Sequence, residues 1–90
     1  MKIEKNDRDL GRQIRDAASS VALNSAEGAF GRKGHRDERM STAFCSAKEV
    51  LAGLGVAVAW DYVSAEETAV ARDRMDHTAA SLYRLMHPAR

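Results

Sequence analysis

Residues 24–39, Asn-Ser-Ala-Glu-Gly-Ala-Phe-Gly-Arg-Lys-Gly-His-Arg-Asp-Glu-Arg, hold three of the chain's six glycines and its densest positive charge. On both sides of this stretch apolar residues recur every three or four positions, so the chain reads as helices joined by a basic connector. Before it, Leu10, Ile14, Ala17, Ala18, Val21 and Ser25 line one face of a first helix that Asn6 or Asp7 can cap and Gly28 can end in a left-handed conformation. After it, Met40, Ala43, Phe44, Ala47, Leu51, Leu54 and Val58 predict a second helix over residues 36–61. A second, small-residue row, Val50, Gly53, Ala57 and Trp60, lets this helix face two neighbours at once. Gly53 and Gly55 lower its helix propensity, and close packing is the reason to tolerate them.

Asp61-Tyr62-Val63 predicts a turn, and Ser64-Ala65-Glu66-Glu67 has the spacing of a capping box that opens a third helix. Ala71, Met75, Thr78 or Ala79, Leu82, and Leu85 or Met86 are its apolar positions, and Pro88 stops it. The chain has no alternating β pattern and no hairpin signal. The expected fold is all-α, an antiparallel up-and-down bundle with three helices in a single domain of residues 1–90.

A core built by 90 residues that are 6% aromatic and rich in alanine is thin, which favours self-association as an added source of stability. Net charge is only +1, so a polyanionic partner must be argued from local clustering. The single cysteine, Cys45, fits a reducing compartment and reads as a small buried hydrophobe. The charged N-terminus lacks the apolar core of a signal peptide, and the weakly polar run over residues 50–60 is too short to span a bilayer. A cytoplasmic protein without a membrane partner is the expectation.

Ile14-Arg15-Asp16-Ala17-Ala18-Ser19-Ser20-Val21 followed by Asn24-Ser25-Ala26-Glu27-Gly28 resembles the signature of the four-helix-bundle family. That family includes proteins encoded in intervening sequences of bacterial large-subunit ribosomal RNA genes and the accessory protein of diversity-generating retroelements. Gly31-Arg32, Ser46-Ala47-Lys48-Glu49-Val50 and Asp61-Tyr62-Val63-Ser64-Ala65-Glu66-Glu67 continue the likeness over roughly residues 10 to 85. The resemblance implies a bundle that assembles into a ring, often of five subunits. Here a handful of residues stand in place of the family's first helix, which implies a fourth bundle position that is empty or filled by another chain.

Arg32, Lys33, His35, Arg36 and Arg39 form a dense basic cluster in which Arg32, Lys33, Arg36 and Arg39 are the candidate phosphate contacts, because clustered cations neutralise phosphates and make binding salt-dependent. The alternative is a solvated surface where Asp37 and Glu38 cancel part of the charge. Arg12 and Arg15 are expected to extend the patch. Phe30 is the only aromatic near the cluster, which argues against base-specific recognition of a single strand. Asn24, Glu27 and Gly28 read as a structural motif, Glu27 pairing with an arginine and Asn24 bonding to backbone near the helix end. No triad, paired carboxylates or metal-ligand spacing appears, and His35, His77 and His87 read as surface residues; no catalysis, cofactor or metal is expected. Two readings follow. The first is a non-catalytic oligomeric accessory protein that binds RNA, DNA or a nucleoprotein partner through the basic connector. The second is a structural module whose open face, lined by Leu51, Leu54, Val58 and Leu82, packs against itself or a partner helix.

Overall fold

Asp7 is where the chain first turns. In the computed structural model, which describes residues 1–88 (of Lys33 the backbone alone), it closes α1 (Lys2–Asn6) and caps α2 (Arg8–Phe30). Its backbone is extended, and its Oδ1 accepts the Leu10 N–H at 3.0 Å, satisfying one of the donors that a helix start leaves open. Two further helices follow, α3 (Lys33–Ala59) and α4 (Ala65–Met86). Every regular element among the described residues is helical. The sequence pattern predicts three of these helices; α1 is a fourth, too short to carry an apolar periodicity of its own.

Three boundaries differ from expectation, the least of them the end of α3, at Ala59 rather than Asp61. α2 does not end at Gly28 but runs to Phe30, and Gly31, which caps it, has an extended backbone (φ −85°, ψ 164°). No glycine among the described residues has a positive φ. Gly28 is instead buried within the helix, where a Cβ would lie 3.0 Å from the Met40 Cε. The glycine serves close approach, a role that sequence alone does not separate from helix termination. α3 begins three residues earlier than its apolar stripe suggests, so the connector shrinks to Gly31 and Arg32.

α3 is the central element. Ile14 of α2 lies against Gly53, Ser20 against Ser46, and Gly28 against Met40, so partner numbers fall along α3 as they rise along α2. On its other flank Ala47 packs with Ala79, and Met40 and Ala43 pack with Leu82. A helix covered on two flanks is apolar over most of its circumference. The helix over Gly34–Ala59 is accordingly long enough to cross a membrane and holds an 18-residue window apolar enough to do so, 33% of which is buried within the chain itself. That window takes in Lys48 and Glu49, which precede the uncharged run over residues 50–60. Ala43, Ala47 and Ala57 are the most deeply buried side chains, at 0% exposure.

At the far end of α3 the chain reverses through a Schellman turn. Asp61 takes the left-handed conformation (φ 60°) while the Tyr62 N–H bonds the Ala57 carbonyl at 2.9 Å and the Asp61 N–H bonds that of Val58 at 3.0 Å. Ser64 then opens α4 with a complete capping box: its Oγ accepts the Glu67 N–H at 3.1 Å, and Glu67 Oε1 accepts the Ser64 N–H at 2.9 Å. Glu67 also receives Lys2 Nζ at 2.9 Å, which ties α1 to α4, while Glu4 of α1 pairs with Arg15 of α2 at 3.1 Å. Ile3 fills the space beneath, in one cluster with Ile14, Leu54 and Val63.

The Lys2 ammonium and then the Ser64 N–H hold the Glu67 carboxyl below its usual value of 4.5. A depressed carboxylate stabilises the fold above its unfolded pKa, and that contribution disappears as pH falls through the folded value. Thermal melts between neutral pH and about pH 3 should therefore show a smaller acid-induced fall in Tm for Glu67→Gln, which retains the capping geometry, than for the parent. The glycines of α3 give a second expectation. A Cβ at Gly53 would sit 2.6 Å from Ile14 Cγ1, whereas one at Gly55 meets nothing within 4 Å. Urea unfolding should show Gly53→Ala destabilised by about 1–2 kcal/mol through overpacking. Gly55→Ala should be stabilised by up to about 1 kcal/mol through helix propensity.

Candidate nucleic-acid interface

The basic connector of the sequence is mostly a helix start. Arg32 is the N-cap residue of α3 and offers no side-chain cap, and the first turn holds no acidic residue. Open backbone N–H groups and the positive end of the helix dipole thus coincide with Lys33 and Arg36. That combination opposes helix formation locally and attracts anions. Arg32 is exposed and Arg36 half-buried, and neither forms an ion pair among the described residues.

Arg39 is committed differently. Its Nε lies 3.1 Å from Glu27 Oε2, and its Nη1 donates to Asn24 Oδ1 at 3.3 Å. Asn24 Nδ2 in turn donates to the Ser20 carbonyl at 2.9 Å and to Ser20 Oγ at 3.0 Å. Ser20 Oγ meets Ser46 Oγ at 2.7 Å. Accepting from Asn24 leaves the Ser20 hydroxyl hydrogen free for Ser46, so a polar relay runs from Glu27 through Arg39 and Asn24 to the buried Ser46. Asn24 and Glu27 thus serve the α2–α3 seam, and Arg39 is part of that seam more than of a phosphate-binding surface.

Arg12 and Arg15 do not join the patch. They lie near the start of α2, and the fifteen residues from Arg15 to Phe30 place them about 22 Å from the connector at 1.5 Å per residue. Both are paired, Arg12 with Asp9 at 3.3 Å and Arg15 with Glu4 at 3.1 Å. Nor is the face lined by Leu51, Leu54, Val58 and Leu82 open. Leu54 and Leu82 are buried in the chain's own core, while Leu51 and Val58 are half-buried. The large apolar side chains left in solvent are others: Phe30 (93% exposed), Trp60 (70%) and Leu23 (64%) among them. Cys45 is exposed rather than buried, because its position in α3 points away from both neighbouring helices.

Sequence reasoning missed what the last turns of α4 bring to this end. Met40, Ala43 and Leu82 pack together with Phe44 and Met86, so the C-terminal turns of α4 lie beside the first half of α3. Phe44 and Tyr83 face each other at 6.0 Å between ring centroids, and His87 stacks on Tyr83 at 4.3 Å. Lys48 lies over the Phe44 ring at 5.6 Å. No signal in the sequence links positions 44, 83 and 87; the helix pairing does. Among the described residues no three His, Cys, Asp or Glu side chains gather as metal ligands.

The relay makes one substitution diagnostic. Asn24→Asp would still pair with Arg39 but cannot donate to the Ser20 carbonyl. Thermal denaturation should show it destabilised by about 1–2 kcal/mol, with no rescue from the adjacent arginine. Comparison with protein-family models, with curated proteins and with solved structures finds no match for this chain.

Proposed function

We propose that this protein is a non-catalytic oligomeric accessory protein that binds nucleic acid through the N-terminal end of α3. The observation that carries this reading is the helix start itself: uncapped, without an acidic first turn, and flanked by Arg32 and Arg36 that have no carboxylate partner among the described residues. Open backbone N–H donors and two guanidinium groups at one helix end suit phosphate oxygens, although Asp37 and Glu38 follow them on the helix. Lys33, in the same turn, adds its charge. The overall charge of +1 means that attraction is local to this end.

The fold belongs to the same proposal. The falling register of α2 against α3, repeated for α3 against α4, supports an antiparallel up-and-down bundle of three long helices, with α1 as a stub at one end. This agrees with the resemblance to four-helix-bundle proteins, whose retroelement branch works with RNA. Self-association has its own support in the exposed Leu23 and Phe30 on α2, which the chain's own core leaves uncovered. In an assembly the basic helix starts would repeat and their fields add.

Binding of a short structured RNA and of a matched duplex DNA, titrated at several salt concentrations by fluorescence anisotropy, tests the reading. Arg32→Glu/Arg36→Glu should abolish binding near physiological salt, and neutralising each arginine should reduce the salt slope by about 0.7–0.9. Arg12→Gln should bind like the parent. Native mass spectrometry should place parent and double variant at the same multiple of the 9.9 kDa chain. Retention of full affinity by the double variant would remove this reading.

A further inference from the structure

We infer that the groove between α3 and α4, which begins about 12 Å along α3 from Arg36, receives an unpaired base, so that the nucleic acid bound is single-stranded. This inference rests on the function proposed above and narrows it. The groove has a volume of about 430 Å³, and its walls come from Phe44 and Lys48 on α3 and from Ala79, Ala80, Tyr83 and Arg84 on α4. Alanines leave its floor shallow and apolar, while Phe44 and Tyr83 supply aromatic rings along it. Tyr83 is 52% exposed, so its ring is half-open to solvent, although His87 stacks against it. His87 is itself held in place, its Nδ1 lying 3.1 Å from the Tyr83 carbonyl.

The charges at the mouth have the sign that a polyanion needs. Lys48 rests on the Phe44 ring, and Arg84 bonds only the Ser81 hydroxyl, at 3.2 Å. Neither has a carboxylate within ion-pair distance among the described residues. Arg36 stands eight residues before Phe44 on the same helix, about 12 Å away along its axis. A strand of a few nucleotides can therefore place phosphates on the helix start and on Lys48 and Arg84 while one base enters between them. Asp76 is the single carboxylate on the wall. Facing a phosphate it would repel; facing a base edge it accepts a hydrogen bond from an exocyclic amine.

A duplex cannot use this groove, because its bases are stacked on one another and its backbone is too wide for a cleft bounded by two helices. Single strands expose the faces that aromatic rings bind, and such stacking tolerates any base.

The test is anisotropy with a twelve-nucleotide single-stranded RNA, the matched single-stranded DNA and the RNA duplex, at one salt concentration. The parent should bind at least one of the single strands about tenfold more tightly than the duplex. Tyr83→Ala should remove about tenfold of single-strand affinity and leave duplex affinity unchanged. Tyr83→Leu, which keeps the apolar contact with Phe44, should lose nearly as much, and this variant separates loss of stacking from loss of fold. Equal binding of strand and duplex, or Tyr83→Leu binding like the parent, would overturn the groove while leaving the basic helix start in place. Absence of binding to all three nucleic acids would overturn both.

Discussion

The close approach of α2 and α3 is the contact on which the rest of the molecule depends. Gly53 admits Ile14, Gly28 admits Met40, and the alanines between them keep the axes near each other over the whole seam. That proximity brings Ser20 to hydrogen-bond distance of Ser46 and lets Arg39 cross to Asn24 and Glu27. It also determines where α4 can lie, since α3 must then present its other flank. A helix pair held by small residues gains van der Waals contact at the expense of apolar area. The polar relay at the seam fixes the register that small residues leave loosely specified.

Local signals in the sequence carried much of this, and tertiary ones did not. The Asp7 cap and the Ser64–Glu67 box are defined by residues three apart, and both are present as hydrogen bonds. The stripes of α2, α3 and α4 follow from helical spacing and mark the faces that are buried. Gly28 was misleading because a glycine that ends a helix and a glycine that admits a neighbour look alike until the neighbour is known. The connector was misleading for a related reason: Gly34 and four basic side chains disfavour a helix start, yet α3 begins at Lys33 because the apolar residues that follow have partners on two sides. Arg12 and Arg15 were placed with the patch by charge alone, and helix length separates them from it.

Ion pairs among the described residues cluster where α1 meets α2 and α4, although Lys5 and Arg8 there have no carboxylate partner. Where α1 joins the bundle, Lys2, Arg12 and Arg15 each meet a carboxylate. These exposed pairs hold the stub in position, each with a modest contribution. Around the α2–α3 connector, among the described residues, Arg39 is neutralised by Glu27, and its charge serves the seam. Arg32 and Arg36 have no carboxylate partner there among the described residues, although the exposed Asp37 and Glu38 follow them on α3. Lys48 and Arg84 lie further along, beside the rings of Phe44 and Tyr83. A near-neutral chain can in this way gather aromatic rings and unpaired cations that its composition does not reveal, with carboxylates interspersed among them.

The thin, alanine-centred core has a thermodynamic consequence. The Cα positions span 43 × 23 × 14 Å, and among the described residues no large side chain is completely enclosed. Unfolding such a slab exposes little apolar surface, so the accompanying heat-capacity increase is small. The stability curve is then shallow in temperature, and the dependence of stability on denaturant is weak. A slight gain in stability, from a neighbouring copy or a bound polyanion, would therefore move the unfolding midpoint far.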